Sequence, residues 1–280
     1  MNKIKIVTDS SAELTPEEIE EFNITVLPLS VMIDDVVYID GENLSKVEFM
    51  EKMPLAKALP KSSQPPIGKF IETYDALGED GSEIISIHIT ESLSGTVNAA
   101  RQAAQLSKTN VTVLDSLFTD RGLSFQVIEA AKMAQKGASK EEILARIEHV
   151  KNNTKLYICV VTLENLVKGG RIGRVMGAIS SLLNVKVMFE LVGGNLEVLV
   201  RGRGMKPINQ WITSLIETLK SKTNIKEIGF SHAAAFEYTN GMMQQFKEVF
   251  PNVPMPVRQT GPVIATHTGK GAFAIMYYTD

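Results

Sequence analysis

Three short polar loops and one histidine hold most of the groups in this chain that could do chemistry. Ser92-Leu93-Ser94-Gly95-Thr96 follows an apolar, β-branched run at residues 84–89 and leads into an alanine-rich stretch at 99–106. A strand, a loop and a helix start meet there, so unpaired backbone N–H groups lie beside the hydroxyls of Ser92, Ser94 and Thr96. Such a place is either a capped helix start or a receptor for a small anion. Ser62-Ser63-Gln64-Pro65 adds two hydroxyls and an amide on a backbone stiffened by Pro60, Pro65 and Pro66, which suits a loop that must hold a donor in place. Asp9-Ser10-Ser11 follows the first strand and reads either as a turn and helix entry or as a site lining. His267, in Thr266-His267-Thr268-Gly269-Lys270-Gly271, has the most site-like surroundings of the four histidines, because flanking glycines admit a close approach.

Several reactive arrangements are missing. Glycine two residues before the serine marks the nucleophile elbow of α/β-hydrolases; before Ser94 that place holds Ser92. The lysine and spacing of a phosphate-binding P-loop are absent, and no histidine, cysteine or carboxylate cluster has metal-ligand spacing. The single cysteine, Cys159, sits in an apolar run and reads as a buried structural thiol. His88 reads as structural and His149 as solvated; His232 is undecided. Lys168, Arg171 and Arg174 around Gly169-Gly170, and Arg201, Arg203 and Lys206 further on, form either a solvated face or a dock for an acidic partner or phosphate.

The elements that must position these groups follow from patterning. Strands are expected at 3–7, 24–29, 84–89 and 111–114, with a hairpin at 31–39. Helices are expected from Thr15-Pro16-Glu17-Glu18, from Ser45, at 67–77, at 122–135 and from Ser139. Residues 60–66 are expected to be irregular. This alternation describes a mainly parallel sheet with helices on both faces. The second half reads as a strand at 155–161, a helix broken at Gly169-Gly170 and resumed at 173–183, a hairpin about Gly193-Gly194-Asn195, helices at 208–219 and 240–250, and strands at 225–230, 257–264 and 272–278. The expected class is α/β in two α/β domains, 1–153 and 154–280, the second with a mixed sheet.

The 280 residues suffice for a substantial core, and a net charge of −3 argues against a general nucleic-acid binder. No uncharged apolar run reaches the roughly 18 residues of a membrane span, and an acid at Asp9 comes too early for a signal peptide. A cytoplasmic protein is expected.

In order and spacing, Thr8-Asp9-Ser10-Ser11, Ser62-Ser63-Gln64-Pro65, Ser92-Leu93-Ser94-Gly95-Thr96, Gly169-Gly170-Arg171-Ile172-Gly173 and His267-Thr268-Gly269 resemble the DegV family over essentially the whole chain. Its members are bacterial fatty-acid-binding proteins that serve as lipid carriers for a fatty acid kinase. The resemblance implies two α/β domains with an acyl chain such as palmitate or oleate in a tunnel, its carboxylate near the junction. It puts Ser62, Ser94 and His267 on that carboxylate, with Asp9, Ser10, Ser63, Gln64, Gly95, Thr96 and Thr268 in the supporting loops. No cofactor or metal is implied; Arg171, Arg201 and Arg203 are candidate contacts for the kinase. Two departures stand out: Ser62 where threonine is usual, and Lys270 where proline is usual. The rival reading is a serine hydrolase or acyltransferase with Ser94 as nucleophile, His267 as base and Asp9 as the orienting acid.

Overall fold

A computed structural model of the chain describes residues 3–172 and 185–280. In chain order the first half runs β1 (Ile4–Asp9), α1 (Pro16–Phe22), β2 (Ile24–Leu27), β3 (Ser30–Ile33), β4 (Val36–Ile39), α2 (Lys46–Lys52), β5 (Lys61–Ser63), α3 (Ile67–Gly78), β6 (Glu83–His88), α4 (Thr96–Leu106), β7 (Val111–Asp115), α5 (Asp120–Gln135) and α6 (Lys140–Asn152). The second runs β8 (Thr154–Val160), α7 (Glu164–Lys168), β9 (Lys186–Val192), β10 (Asn195–Gly202), α8 (Lys206–Leu219), β11 (Ile225–His232), α9 (Phe236–Val249), β12 (Val257–Gln259), α10 (Pro262–Thr268) and β13 (Phe273–Thr279). Thr15, Ser45 and Ser139 each close a reciprocal capping box with the glutamate three residues on, which fixes where α1, α2 and α6 begin.

The first sheet has the order β2-β1-β6-β7 and is parallel throughout. Every residue of β6 from Ile84 to His88 is buried, as a strand covered on both faces requires. Phe70 and Tyr74 of α3 pack with Ala99, Ala100 and Ala103 of α4 on one face; Leu123, Val127, Ile143 and Ile147 of α5 and α6 fill the other. The second sheet, β10-β9-β8-β13-β11-β12, is mixed, with β11 and β12 its parallel pair. α8 and α9 cover one of its faces through Ile212, Leu215, Ile216, Met242 and Phe246.

A third, small sheet of order β4-β3-β5 corrects one expectation. Residues 61–63, read as irregular, form an edge strand paired antiparallel to β3. The flanking prolines hold the segment extended, and an edge position leaves their missing donors harmless. Leu29, Val31 and Ile33, with Phe49 and Met50 of α2, pack against Leu163, Val187, Phe189 and Val263, so this sheet lies over the second one. A second correction concerns residues 257–264. Only Val257–Gln259 is strand; Gly261-Pro262 then starts α10, proline being suited to a first helical turn. Short apolar runs such as Val263-Ile264 do not distinguish helix from strand. The helix expected at 173–183 lies outside the described residues, as does Arg174.

Candidate functional site

Ser62 sits mid-way along β5, opposite Val31 of β3, half-buried between the exposed Lys61 and Ser63. Its Oγ lies 2.7 Å from Nε2 of His267. His267 occupies the last turn of α10, a seven-residue helix ended by Gly269 at φ +77°, a conformation that favours glycine. Asn165 of α7 donates from Nδ2 to the carbonyl of Thr266 at 2.9 Å, so the neighbouring helix fixes this turn. Gly169 comes against the same imidazole. A methyl group there would collide with His267 Nδ1 and lie 2.9 Å from the Asn165 carbonyl oxygen. Arg171 completes the frame, donating from Nη1 to Gly169 O at 2.7 Å and from Nε to Leu93 O at 3.1 Å.

Arg171 therefore ties the His267 surroundings to the serine loop. In that loop Ser92 donates to the Gly194 carbonyl at the tip of the β9–β10 hairpin, and Ser94 Oγ is 2.8 Å from Thr96 Oγ1 while accepting from Thr96 N. Gly95 leaves no room for a side chain, because the Gln64 amide oxygen occupies that space. The two polar loops thus touch.

Beneath them is a cavity of about 300 Å³. Ser62, Ser63, Gln64, Ser94, Arg171 and His267 supply its polar groups, with Gly95 and Thr268 also on its wall; Leu29, Ile89, Ile158, Phe189, Leu196 and Ile264 supply much of the apolar surface. One polar end and an apolar remainder suit an amphiphile.

Burial drives the His267 pKa down to about 4, and the Arg171 cation adds to the shift. The imidazole is neutral at pH 7 and carries a single N–H. With that proton on Nε2 it donates to Ser62 Oγ, which frees the Ser62 O–H to donate into the cavity. Among the described residues His267 Nδ1 has no hydrogen-bond partner. A carboxylate, which only accepts, matches the hydroxyls of Ser62 and Ser94 and the charge of Arg171.

Other expected residues lie elsewhere. Asp9 accepts from Ser11 N and Ile89 N and pairs with His88 Nδ1 at 3.0 Å, all buried. His88 is also bonded to Ser86 at 2.7 Å, the structural role read for it. Ser10 Oγ accepts from the backbone N–H of Leu29 at 3.1 Å, and Asp9 and Ser10 line a separate cleft with Glu13, Asp40 and Lys46. Thr96 is fully buried behind Ser94. Arg201 and Arg203 are exposed at the end of β10 and beyond it, away from the cavity wall, whereas Arg171 is in that wall. The combination Ser94–His267–Asp9 does not assemble: His267 is bonded to Ser62, and Asp9 to His88. Among the described residues no group of three His, Cys, Asp or Glu could hold a metal ion.

Residues 3–280 match the family described as uncharacterised proteins of the DegV family. A DegV domain-containing protein of Streptococcus pneumoniae is 49% identical over 276 residues, covering 99% of this chain and 98% of its own length. The chain belongs to the DegV family. Among solved DegV structures, one from Thermus thermophilus described as fatty acid binding is 30% identical with a TM-score of 0.90, covering 99% of this chain and all of that one. The Bacillus subtilis DegV, described as a fatty acid binding protein, is 28% identical with a TM-score of 0.92 over the full length of both chains. The α/β architecture expected from the sequence is the DegV fold. The apolar lining had no signature in the sequence, because cavity wall and core are built from the same residue types.

Proposed function

We propose that this chain binds a long-chain fatty acid of the palmitate or oleate class, with its tail in the cavity and its carboxylate at Ser62, Ser94 and His267. The observation that carries the reading is the Ser62–His267 pair on the polar part of a cavity whose remaining wall is largely apolar. Burying a sixteen-carbon tail is worth on the order of 10 kcal/mol gross, at about 0.8 kcal/mol per methylene. Hydrogen bonds to the charged head add about 1.5–3 kcal/mol each. The tail sets affinity, while the head contacts offset carboxylate desolvation and fix which end faces out. Fatty-acid binding by family members from Thermus and Bacillus supports the same ligand class.

In this reading the chain is a cytoplasmic carrier that needs no cofactor. A separate fatty acid kinase phosphorylates the presented carboxylate to an acyl phosphate, with Arg201 and Arg203 on the docking face and Arg171 at the head group. Native mass spectrometry of protein purified from bacteria should find a fatty acid held in the molecule. A lipid-free preparation that takes up neither palmitate nor oleate overturns the reading. For the kinase step, palmitate loaded on this chain should yield acyl phosphate only when ATP and the kinase are both added.

A Ser–His pair also invites a hydrolase reading, now centred on Ser62. An imidazole with a pKa of about 4 and, among the described residues, no acid on Nδ1 is a weak general base at neutral pH. A fluorophosphonate probe should leave both Ser62 and Ser94 unlabelled.

A further inference from the structure

The cleft lined by Glu13, Asp40 and Lys46 holds a group of charges that the binding reading does not use, its carboxylates buried and its lysine half-exposed. Glu13, 6% exposed, follows β1, and one of its carboxylate oxygens accepts from the backbone N–H of Gly261 at 2.6 Å. Gly261 is the residue that opens α10, the helix carrying His267. The other oxygen is paired with Lys46, the first residue of α2. Asp40 and Lys46 flank the link between α2 and the small sheet that carries Ser62, and Asp40 N donates to Leu29 O at 2.9 Å. One carboxylate from the segment after β1 thus touches both the helix bearing His267 and the element joined to the strand bearing Ser62.

We propose that Glu13 is a positioning residue for the Ser62–His267 pair, and that loss of a proton from its cluster slackens the grip on the ligand head group. The proposal rests on the fatty-acid reading above for its ligand, but not for its geometry.

Among the described residues the charges facing Glu13 come from four elements. Lys46 approaches from α2 and Asp40 from the end of the small sheet; Asp120 opens α5. From the β12 side, Arg258 donates to the Glu13 backbone carbonyl at 3.4 Å. The Thr260 hydroxyl stands 3.4 Å from a Glu13 oxygen and 3.3 Å from Asp120 Oδ2, and its one proton can serve only one of them. Ser231 donates to Asp120 Oδ1 at 2.7 Å. Three buried carboxylates face one lysine, so the group holds a proton well above the ordinary carboxylate range. Burial raises Glu13 to about 7, with Lys46 opposing and Asp120 and Asp40 adding to the rise.

The direction of the effect follows from linkage. The closed arrangement, in which Glu13 is buried, binds the proton more tightly than any opened arrangement that lets water reach the carboxylate. Acid therefore favours the closed cluster, and raising pH through about 7 favours its loosening. His267, neutral down to about 4, does not titrate in that window.

The test uses the full chain with palmitate as probe between pH 6 and 8. In the wild type affinity should fall about tenfold across this range, the change produced by a one-unit difference in Glu13 pKa between loaded and free protein. Glu13→Gln keeps an acceptor for Gly261 N–H and removes the charge, so its affinity should stay high and lose this slope; ionisation of palmitate itself is common to both proteins. In parallel, imidazole ¹⁵N signals of His267, assigned with His267→Gln, should show an inflection near pH 7 in ligand-free wild type, absent from Glu13→Gln. Lys46→Gln, which withdraws the opposing cation, should move that inflection to higher pH and serves if Glu13→Gln fails to fold. A wild-type slope retained by Glu13→Gln, or no inflection in the wild type, overturns the positioning role. An inflection of the expected kind in a protein that binds no palmitate supports the positioning role and refutes the ligand instead.

Discussion

Ser62 and His267 stand 205 residues apart in the chain, yet Ser62 Oγ lies 2.7 Å from His267 Nε2. Neither element would hold the pair alone. β5 is a three-residue edge strand and α10 a seven-residue helix, so the contact depends on the packing of the small sheet over the second one. Ser62→Ala removes the partner of a half-buried imidazole and one donor to the ligand. Calorimetry with palmitate should show affinity lowered about ten- to a hundredfold, the worth of a hydrogen bond to a charged group. Ser62→Thr, which keeps the hydroxyl, should restore it. A Ser62→Ala protein that binds like the wild type would remove Ser62 from the site.

Gly169 is required for a spatial reason. Its backbone lies at an ordinary φ of −77°, so glycine is not demanded by conformation; the His267 ring and the Asn165 carbonyl occupy the space a methyl would need. In Gly169→Ala the imidazole must swing away from Ser62, at a cost of about 1–3 kcal/mol for overpacking. Palmitate binding should drop while the fold persists. A crystal structure of the variant with the Ser62–His267 contact intact would defeat this account.

The depressed pKa of His267 makes a prediction in acid. In the unfolded chain a histidine takes up a proton near 6.5, whereas the native ring resists until about 4. The stability this group contributes is therefore present above pH 6.5 and is lost as pH falls toward 4. Urea melts at pH 7, 5.5 and 4.5 should show a smaller decline for His267→Gln than for the wild type. Loading with a fatty acid should raise the His267 pKa, since a nearby carboxylate favours the charged ring. An equal decline in both proteins would remove the depressed pKa of His267, and a pKa unmoved by ligand would separate His267 from the carboxylate.

How much of this could be read beforehand varies with the kind of information each residue carries. Capping boxes at Thr15, Ser45 and Ser139 are local chemistry, and those helix starts were legible. The parallel first sheet followed from the alternation of strand and helix patterns along the first half. Residue type and loop context drew attention to the two serine loops and to His267, and the DegV resemblance picked Ser62 and Ser94 within them; neither gave the bond from Ser62 to His267, which is set by tertiary packing. β5 was misread because proline signals a break and equally tolerates an extended edge. α10 was misread because two apolar residues carry no period. Arg171 read as part of a solvated face or a dock for an acidic partner or phosphate; its place in the cavity wall had no local mark, because a basic residue beside glycines looks the same in either setting. Glu13 had no signal at all, because its partners Lys46 and Gly261 come from distant segments.

Cys159 offers a check on the core behind the cavity. It is fully buried on β8, among Met188, Phe230 and Phe273, and burial pushes its thiol up to about 12. The nucleophile is the thiolate, so iodoacetamide at pH 8 should not modify the native protein and should modify it once urea unfolds the chain. Fast labelling under native conditions would mean that the second sheet opens far more readily than its packing implies.

Leu196 tests the apolar end directly. It lines the cavity from β10, the outer strand of the second sheet, and packs on the shared core only in part. A larger side chain there can enlarge into the cavity without displacing fully buried neighbours. Leu196→Trp should shorten the usable channel, and each excluded methylene forfeits about 0.8 kcal/mol. Excluding three of them would lower palmitate affinity about fiftyfold while leaving dodecanoate nearly unaffected. The discriminating quantity is the ratio of the two affinities, because a general loss of fold lowers both. If palmitate and dodecanoate weaken in parallel, the tail does not run along Leu196, and the apolar surface there is ordinary core.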